Sequence, residues 1–233
     1  DMFHVRRFED AAKAVYEGDA DYAVLPIENS SAGAVTDNYD LLLKYENYIV
    51  AEVFVTVCHC LLGTGDAELS DIRTVSAHPQ ALMQSAEYLN ARRDWKQVSV
   101  ENNAVAAKRV KDENDRTQAA VASAEAAKIY GLKILAEGIN SSQNNTTRFL
   151  ILSRKPVYRE AANRVSICFE LPHESGTLYN MLNHFAFSHL NMQMIESRPI
   201  PGRNWEYRFF VDIEGNLDDP DMINALRSVA GEA

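Results

Sequence analysis

Hydrophobic and polar positions along the chain follow two rhythms. Phe8, Ala11, Ala12 and Val15 repeat at i, i+3, i+4 and i+7 with Gly18 behind them, which predicts an amphipathic helix and its stop. Tyr22 to Ile27 predicts a short buried strand, with Pro26 near its end or at a sheet edge. Glu28 to Gly33 is a polar loop, and a helix is expected around Tyr39 to Tyr45. The β-branched run from Ile49 to Cys60 reads as one long strand. Thr74-Val75 predicts a strand that ends in Ser76-Ala77-His78-Pro79-Gln80, and Pro79 starts a helix reaching about Asn90. Val98 to Val100 is a strand, and Glu101-Asn102-Asn103 caps an alanine-rich helix to about Lys111. Ala119 to Ala122, Ser123 to Tyr130 and Leu132 to Leu135 predict strand, helix and strand, with Gly131 as the helix stop.

This alternation is the α/β signature of a mostly parallel sheet. Polar clusters recur after strands, where open α/β sheets bind ligands. Glu28 to Ser31, Ser76 to Gln84, Glu101 to Asn103 and Asn145 to Arg148 are therefore expected to converge on one cleft. Residues 154–162 read as a linker, and the pattern then restarts. Val165 to Leu171, Leu190 to Ser197 and Trp205 to Ile213 predict strands. Gly176 to His189 and Pro220 to Val229 predict helices. The order βαββα is one strand short of a ferredoxin-like βαββαβ unit.

Composition narrows the function classes. The 233 residues are 46% hydrophobic and 24% charged, enough for one large or two modest domains. A formal net charge of -10 and a pI of about 5.1 argue against a nucleic-acid or anionic-membrane surface. An anionic ligand then needs local Arg, Lys or helix N-termini. Three cysteines, Cys58, Cys60 and Cys168, fit a reducing cytoplasm rather than a disulfide framework. Cys58-His59-Cys60 looks like a metal cluster, but on a strand His59 would face away from the two cysteines, so no metal is expected.

The stretch Asn144-Asn145-Thr146-Thr147-Arg148-Phe149 leads into apolar Leu150-Ile151-Leu152. It reads as a polar lead-in at the mouth of a sheet before a buried strand. Taken alone, it is either a turn before a core strand or a ligand-presenting segment.

Four stretches together decide between these. Asp21 to Ser30 with Gly33 and Val35, Ala120 to Leu135, Asn145 with Thr147-Arg148-Phe149, and Glu196-Ser197-Arg198-Pro199 resemble, in order and at natural spacing, the prephenate dehydratase family with its C-terminal ACT regulatory domain. The resemblance extends over almost the whole chain. It implies a two-lobed, periplasmic-binding-protein-like catalytic region at 1–153, with lobe one at 1–53 and 136–153 and lobe two at 54–135. A ferredoxin-like ACT domain is implied at 163–233. The implied reaction removes water and carbon dioxide from prephenate to give phenylpyruvate, on the route to phenylalanine, with no cofactor. Phenylalanine is the implied effector, and a homodimer or homotetramer is the implied assembly.

Residue roles follow from the same resemblance. The ring hydroxyl is a poor leaving group, so a proton donor at that oxygen is the main need. Thr147 matches the family's essential threonine and is the expected donor, acting as a positioned hydrogen-bond donor rather than a free acid. Arg148 either holds a substrate carboxylate or pins the loop structurally. Phe149 is expected under the substrate ring. Asn29, Ser30 and Asn145 offer neutral donors, and Glu28 is expected to orient the loop. Gln84 either faces the cleft or is a solvated amide; Glu101 either faces the site or caps a helix. Gly176, Thr177 and Leu178, with Glu196, Ser197 and Arg198, are the expected phenylalanine site.

The sequence departs from the family at several points. Ala77 replaces a serine, whose contact is either lost or taken over by Ser76, Asn102 and Asn103 replace hydroxyl residues, and Ser175 replaces a proline. The family's first strand with its hydroxyl-bearing loop, and the last ACT strand, are not in the chain, which is expected to be a fragment of a longer protein. A rival reading is a non-catalytic two-lobe protein that senses a small aromatic acid.

Overall fold

The structure is a computed structural model and describes residues 1–142 and 144–232. In chain order, α1 (Phe8–Glu17), β1 (Tyr22–Asn29), β2 (Gly33–Ala34), α2 (Thr36–Lys44) and β3 (Tyr48–Thr56) come first. Next are β4 (Cys60–Gly63), β5 (Thr74–Ala77), α3 (Pro79–Gln84), α4 (Ala86–Asn90), β6 (Lys96–Ser99) and α5 (Asn103–Glu113). Then follow β7 (Gln118–Ala122), α6 (Ala124–Tyr130), β8 (Lys133–Ala136) and β9 (Thr146–Ser153). The last stretch holds β10 (Arg164–Glu170), α7 (Thr177–Phe187), β11 (Met192–Pro199), β12 (Tyr207–Glu214) and α8 (Pro220–Glu232).

The chain divides into two compact units. One takes Asp1–Glu28, Ala34–Val53 and Arg148–Ala233; the other takes Asn29–Gly33 and Phe54–Thr147. β9 passes from one unit to the other between Thr147 and Arg148.

In the first unit, α1 buries Ala12 and Val15, and Gly18 ends it in a left-handed conformation at φ 86°, its N–H capping Ala14 and Val15 carbonyls. β10, β12 and β11 form an antiparallel sheet in that order. Alternation gives this sheet two faces. Val165, Phe169, Val211 and Ile213 pack with Met181, Phe185, Met222 and Val229 of α7 and α8. Phe210 and Met194 pack instead with Leu25, Ile27, Tyr39, Leu42 and Leu150. The Tyr39 and Phe210 ring centroids lie 5.0 Å apart.

In the second unit, the five-stranded sheet has the order β6-β5-β7-β4-β8. β5 is parallel to β6 and β7, whereas β4 is antiparallel to β7 and β8. The sheet is therefore mixed rather than mostly parallel. Cys60, Leu61 and Leu62 on β4 are fully buried, each of the two leucines contributing roughly 1.5–3 kcal/mol. Asn102 caps α5 by accepting the Val105 N–H at 2.8 Å, so Asn102, not Glu101, is the capping side chain.

Two expected elements divide. The run Ile49 to Cys60 is two strands in different sheets, with residues 57–59 between them. Asn140 causes the break: its amide donates to the Val57 carbonyl at 2.9 Å and accepts the His59 N–H at 2.7 Å. A side chain from far along the chain takes the groups a continuous ladder would use. Because 57–59 are not strand, Cys58 and Cys60 share no face; Cys58 is exposed and Cys60 buried. The helix from Pro79 to Asn90 breaks at buried Ser85 into α3 and α4.

Candidate active site

Asn29 ends β1, and its side chain is fixed at both ends. Its Oδ1 accepts the Ser31 N–H at 3.0 Å and the Ala32 N–H at 2.9 Å. Backbone donors can bond only the amide oxygen, so they settle which end is which. Its Nδ2 then donates to Asn145 Oδ1 at 2.8 Å and to Thr147 Oγ1 at 2.9 Å. Since the Thr147 oxygen is already an acceptor, its own proton is left to donate elsewhere. A donated bond also polarises the hydroxyl, which strengthens it as a donor.

Ser30 closes the same loop. Its hydroxyl donates to the Asn144 carbonyl at 2.8 Å and accepts the Thr146 N–H at 2.9 Å. Its backbone N–H donates to the Thr146 carbonyl at 2.9 Å. Asn145 is 2% exposed, and its Nδ2 has no hydrogen-bond partner among the described residues. A buried donor left unpaired costs about 1–3 kcal/mol. It stands two residues before Thr147 and shares the Asn29 amide with it.

The network continues through one backbone bond. Val57 N–H donates to the Asn145 carbonyl at 2.7 Å. From Val57, Asn140 bridges to His59, and His59 Nε2 meets Gln84 Oε1 at 2.9 Å. The Gln84 carbonyl accepts the Ser141 N–H at 2.7 Å. Gln84 is thus a tethered, partly buried amide. Asn140 was not singled out by sequence reasoning, and His59 was weighed only as part of a metal cluster that was set aside. A histidine on a presumed strand gives no signal, because the corner that places it is built by Asn140.

Arg148 was expected either to hold a ligand's carboxylate or to pin the structure. In the structure it holds two carboxylates of the protein. Its Nε donates to Glu52 at 2.7 Å and its Nη1 to Asp212 at 2.5 Å. Alternation along β9 explains this: Arg148 is buried with Leu150 and Leu152, while Thr147, Phe149 and Ile151 are only partly buried on the other face. Burial pushes the guanidinium pKa down, but the charges and hydrogen bonds of Asp212 and Glu52 raise it overall.

The remaining expected residues are placed as follows. Glu28 is partly buried on β1, in the unit that does not contain Thr147. Ser76 is 2% exposed on β5. Glu101 is exposed ahead of α5, and the neighbouring Asn103 accepts the His78 N–H at 2.9 Å. Gly176 precedes α7 at φ 92°, a conformation favouring glycine, and the Thr177 hydroxyl donates to the Pro172 and Glu174 carbonyls at 3.1 Å. Leu178 is partly buried on α7. On β11, Glu196 and Arg198 are partly buried and Ser197 is exposed. Arg198 pairs with Asp40 at 2.6 Å and Asp37 at 3.4 Å on α2.

Fold and site together define an α/β protein whose polar centre is a threonine hydroxyl held by the Asn29 amide. Residues 1–157 match the family described as prephenate dehydratase, and the chain belongs to that family. It is 41% identical over 232 residues to an arogenate dehydratase/prephenate dehydratase of Arabidopsis thaliana, covering 94% of this chain and 60% of the relative. It is 36% identical over 225 residues to a bifunctional chorismate mutase/prephenate dehydratase of Enterobacter agglomerans, covering 96% and 58%. The chain thus spans about three fifths of the length of these relatives. A solved structure of prephenate dehydratase from Arthrobacter aurescens in complex with L-Phe superposes with a TM-score of 0.89 at 29% identity, covering 98% of this chain and 77% of that one. Another, described as GqqA, a novel type of quorum quenching acylase, gives a TM-score of 0.89 at 33% identity, covering 97% and 83%.

Proposed function

We propose that this chain supplies the dehydratase chemistry of its family: prephenate loses water and carbon dioxide to give phenylpyruvate. The observation that supports this reading most is the Asn29 amide on the Thr147 oxygen, which leaves the hydroxyl proton to donate. In the proposed reaction Thr147 hydrogen-bonds the departing ring hydroxyl, which leaves as water, the one proton it takes up through Thr147 being replaced from solvent. The unpartnered Asn145 Nδ2 supplies a second fixed donor. Ring aromatisation drives the carboxylate out as carbon dioxide. Acylase activity, the kind named for one structural relative, would need a base beside a nucleophilic oxygen; the group beside Thr147 Oγ1 is an amide donor.

The finer architecture belongs to the same proposal. We read 1–153 as a two-lobed, periplasmic-binding-protein-like catalytic region and 163–233 as an ACT domain, supported by the βαββα order. Phenylalanine is the proposed effector, consistent with the L-Phe named for the Arthrobacter aurescens structure. A homodimer or homotetramer is proposed for the assembly. No helix among the described residues is long and apolar enough to cross a membrane. Three free cysteines support a cytoplasmic setting.

The test is direct. Purified chain is given prephenate, and phenylpyruvate is followed by its enolate absorbance in alkali. Appearance of phenylpyruvate supports the reading. Saturable binding of prephenate without turnover replaces it with the non-catalytic sensor. Arogenate offered in parallel decides which substrate is preferred.

A further inference from the structure

Gln84 is the last residue of α3, and it is held at two points. Its carbonyl accepts the Ser141 N–H at 2.7 Å, where the helix breaks at Ser85. Its side-chain Oε1 stands 2.9 Å from Nε2 of buried His59. An amide oxygen offers only lone pairs, so a contact this short needs the ring proton on Nε2. With the oxygen so occupied, the two protons of the Gln84 amide nitrogen are left over. They have no partner among the described residues, and Gln84 is only partly buried. Both holding segments lead to Asn145. Asn140, next to Ser141, bridges Val57 and His59, and the Val57 N–H donates to the Asn145 carbonyl at 2.7 Å. All of these residues, with Asn29 and Thr147, belong to one compact unit.

We propose that His59 is a positioning residue for substrate affinity: it holds the Gln84 amide so that its two N–H donors are presented to a carboxylate of the bound acid, a role that rests on the dehydratase reading given above. The opposite ring tautomer would accept from the amide nitrogen instead. That would turn the Gln84 oxygen outward and set its lone pairs against the carboxylate. In a chain of net charge -10 an anionic ligand depends on such local donors. The Asn145 Nδ2, likewise unpartnered, is a donor of the same neutral kind. Holding Gln84 in one rotamer before the ligand arrives also spares the cost of ordering it on binding.

The test uses the full chain with prephenate and reads KM and kcat separately. His59→Leu keeps a bulky side chain and removes the donor. Its KM is expected to rise about threefold to tenfold, the cost of ordering one freed side chain on binding, while kcat changes far less. His59→Gln, whose amide nitrogen can take the place of Nε2, restores most of the affinity. Gln84→Glu still accepts from His59 but sets a carboxylate against the ligand, so its KM rises further than that of Gln84→Met. Ring nitrogen-15 NMR of wild type shows a protonated Nε2 on His59, the signal being identified by its absence from His59→Gln. An unprotonated Nε2 overturns the proposal. So does a wild-type KM in His59→Leu, or an equal KM in Gln84→Glu and Gln84→Met. If His59→Leu folds poorly, the ring spectrum and the two Gln84 variants decide the matter. Absence of turnover in wild type overturns the dehydratase reading, and the prephenate Kd, measured by titration of the same variants, then decides this inference in place of KM.

Discussion

Asn29 and Thr147, 118 positions apart in the chain, meet through a single amide proton at 2.9 Å. The donor is the asparagine, and its orientation is set by two backbone N–H groups of its own turn. A loop between β1 and β2 thereby decides what the hydroxyl on β9 can do.

Replacing Asn29 with Asp tests that direction. A carboxylate still accepts the Ser31 and Ala32 N–H groups, so the turn persists. It cannot donate to Thr147, and the threonine proton turns back toward it. Turnover is expected to fall about tenfold to a hundredfold, with far-ultraviolet circular dichroism unchanged. Wild-type turnover in Asn29→Asp would separate Asn29 from the chemistry.

Asn140→Ala should damage stability more than any surface change. It strands the Val57 carbonyl and the His59 N–H at the corner between β3 and β4. The expected cost is about 1–3 kcal/mol in urea unfolding. Because His59 holds Gln84, the KM for prephenate should rise as well. A KM equal to wild type would remove Gln84 from the substrate site.

Gly63 closes β4 in a fully buried position. A Cβ there would lie 2.8 Å from Leu135 Cδ1 and 3.2 Å from Ala67 Cβ. Leu135 can rotate its tip away, but Ala67 has nothing to rotate. Gly63→Ala should destabilise by about 1–3 kcal/mol, read as a lower urea midpoint. An unchanged midpoint would mean the corner relaxes freely.

Tyr39 sets a pH limit. Burial, and next the negative charge of Asp212, raise its hydroxyl pKa above the ordinary value of 10.0, although Arg148 partly opposes them. The folded chain then holds this proton more tightly than the unfolded chain. The associated stability is complete below pH 10 and declines as pH rises through and above that value. Tyr39→Phe should flatten the fall in unfolding free energy across that alkaline window. Identical slopes for the two proteins would contradict the assignment.

Local pattern made much of the fold legible. The 3.6-residue spacing in α1, the glycine stops after α1 and α6, and the order βαββα were readable because each depends on neighbours in sequence. What was not readable depended on distant side chains. The break between β3 and β4 comes from Asn140, and nothing in the β-branched run announces it. The mixed sheet follows from where β4 inserts, which no local pattern encodes. Among the candidate site residues, Asn29, Ser30 and Thr147 were singled out from motifs, but the proton direction between Asn29 and Thr147 required geometry. Arg148 was ambiguous because a guanidinium suits any carboxylate. Strand alternation already placed it on the face opposite Thr147, and that signal could have been used.

The most direct measurement compares kcat for wild type, Thr147→Ser and Thr147→Val with prephenate. Valine keeps the shape of threonine and loses only the hydroxyl. Thr147→Val is predicted to lose about a hundredfold to ten-thousandfold in kcat, with Thr147→Ser retaining most of the activity. Wild-type turnover by Thr147→Val would contradict the account, since the hydroxyl that Asn29 orients would then have no part in the reaction.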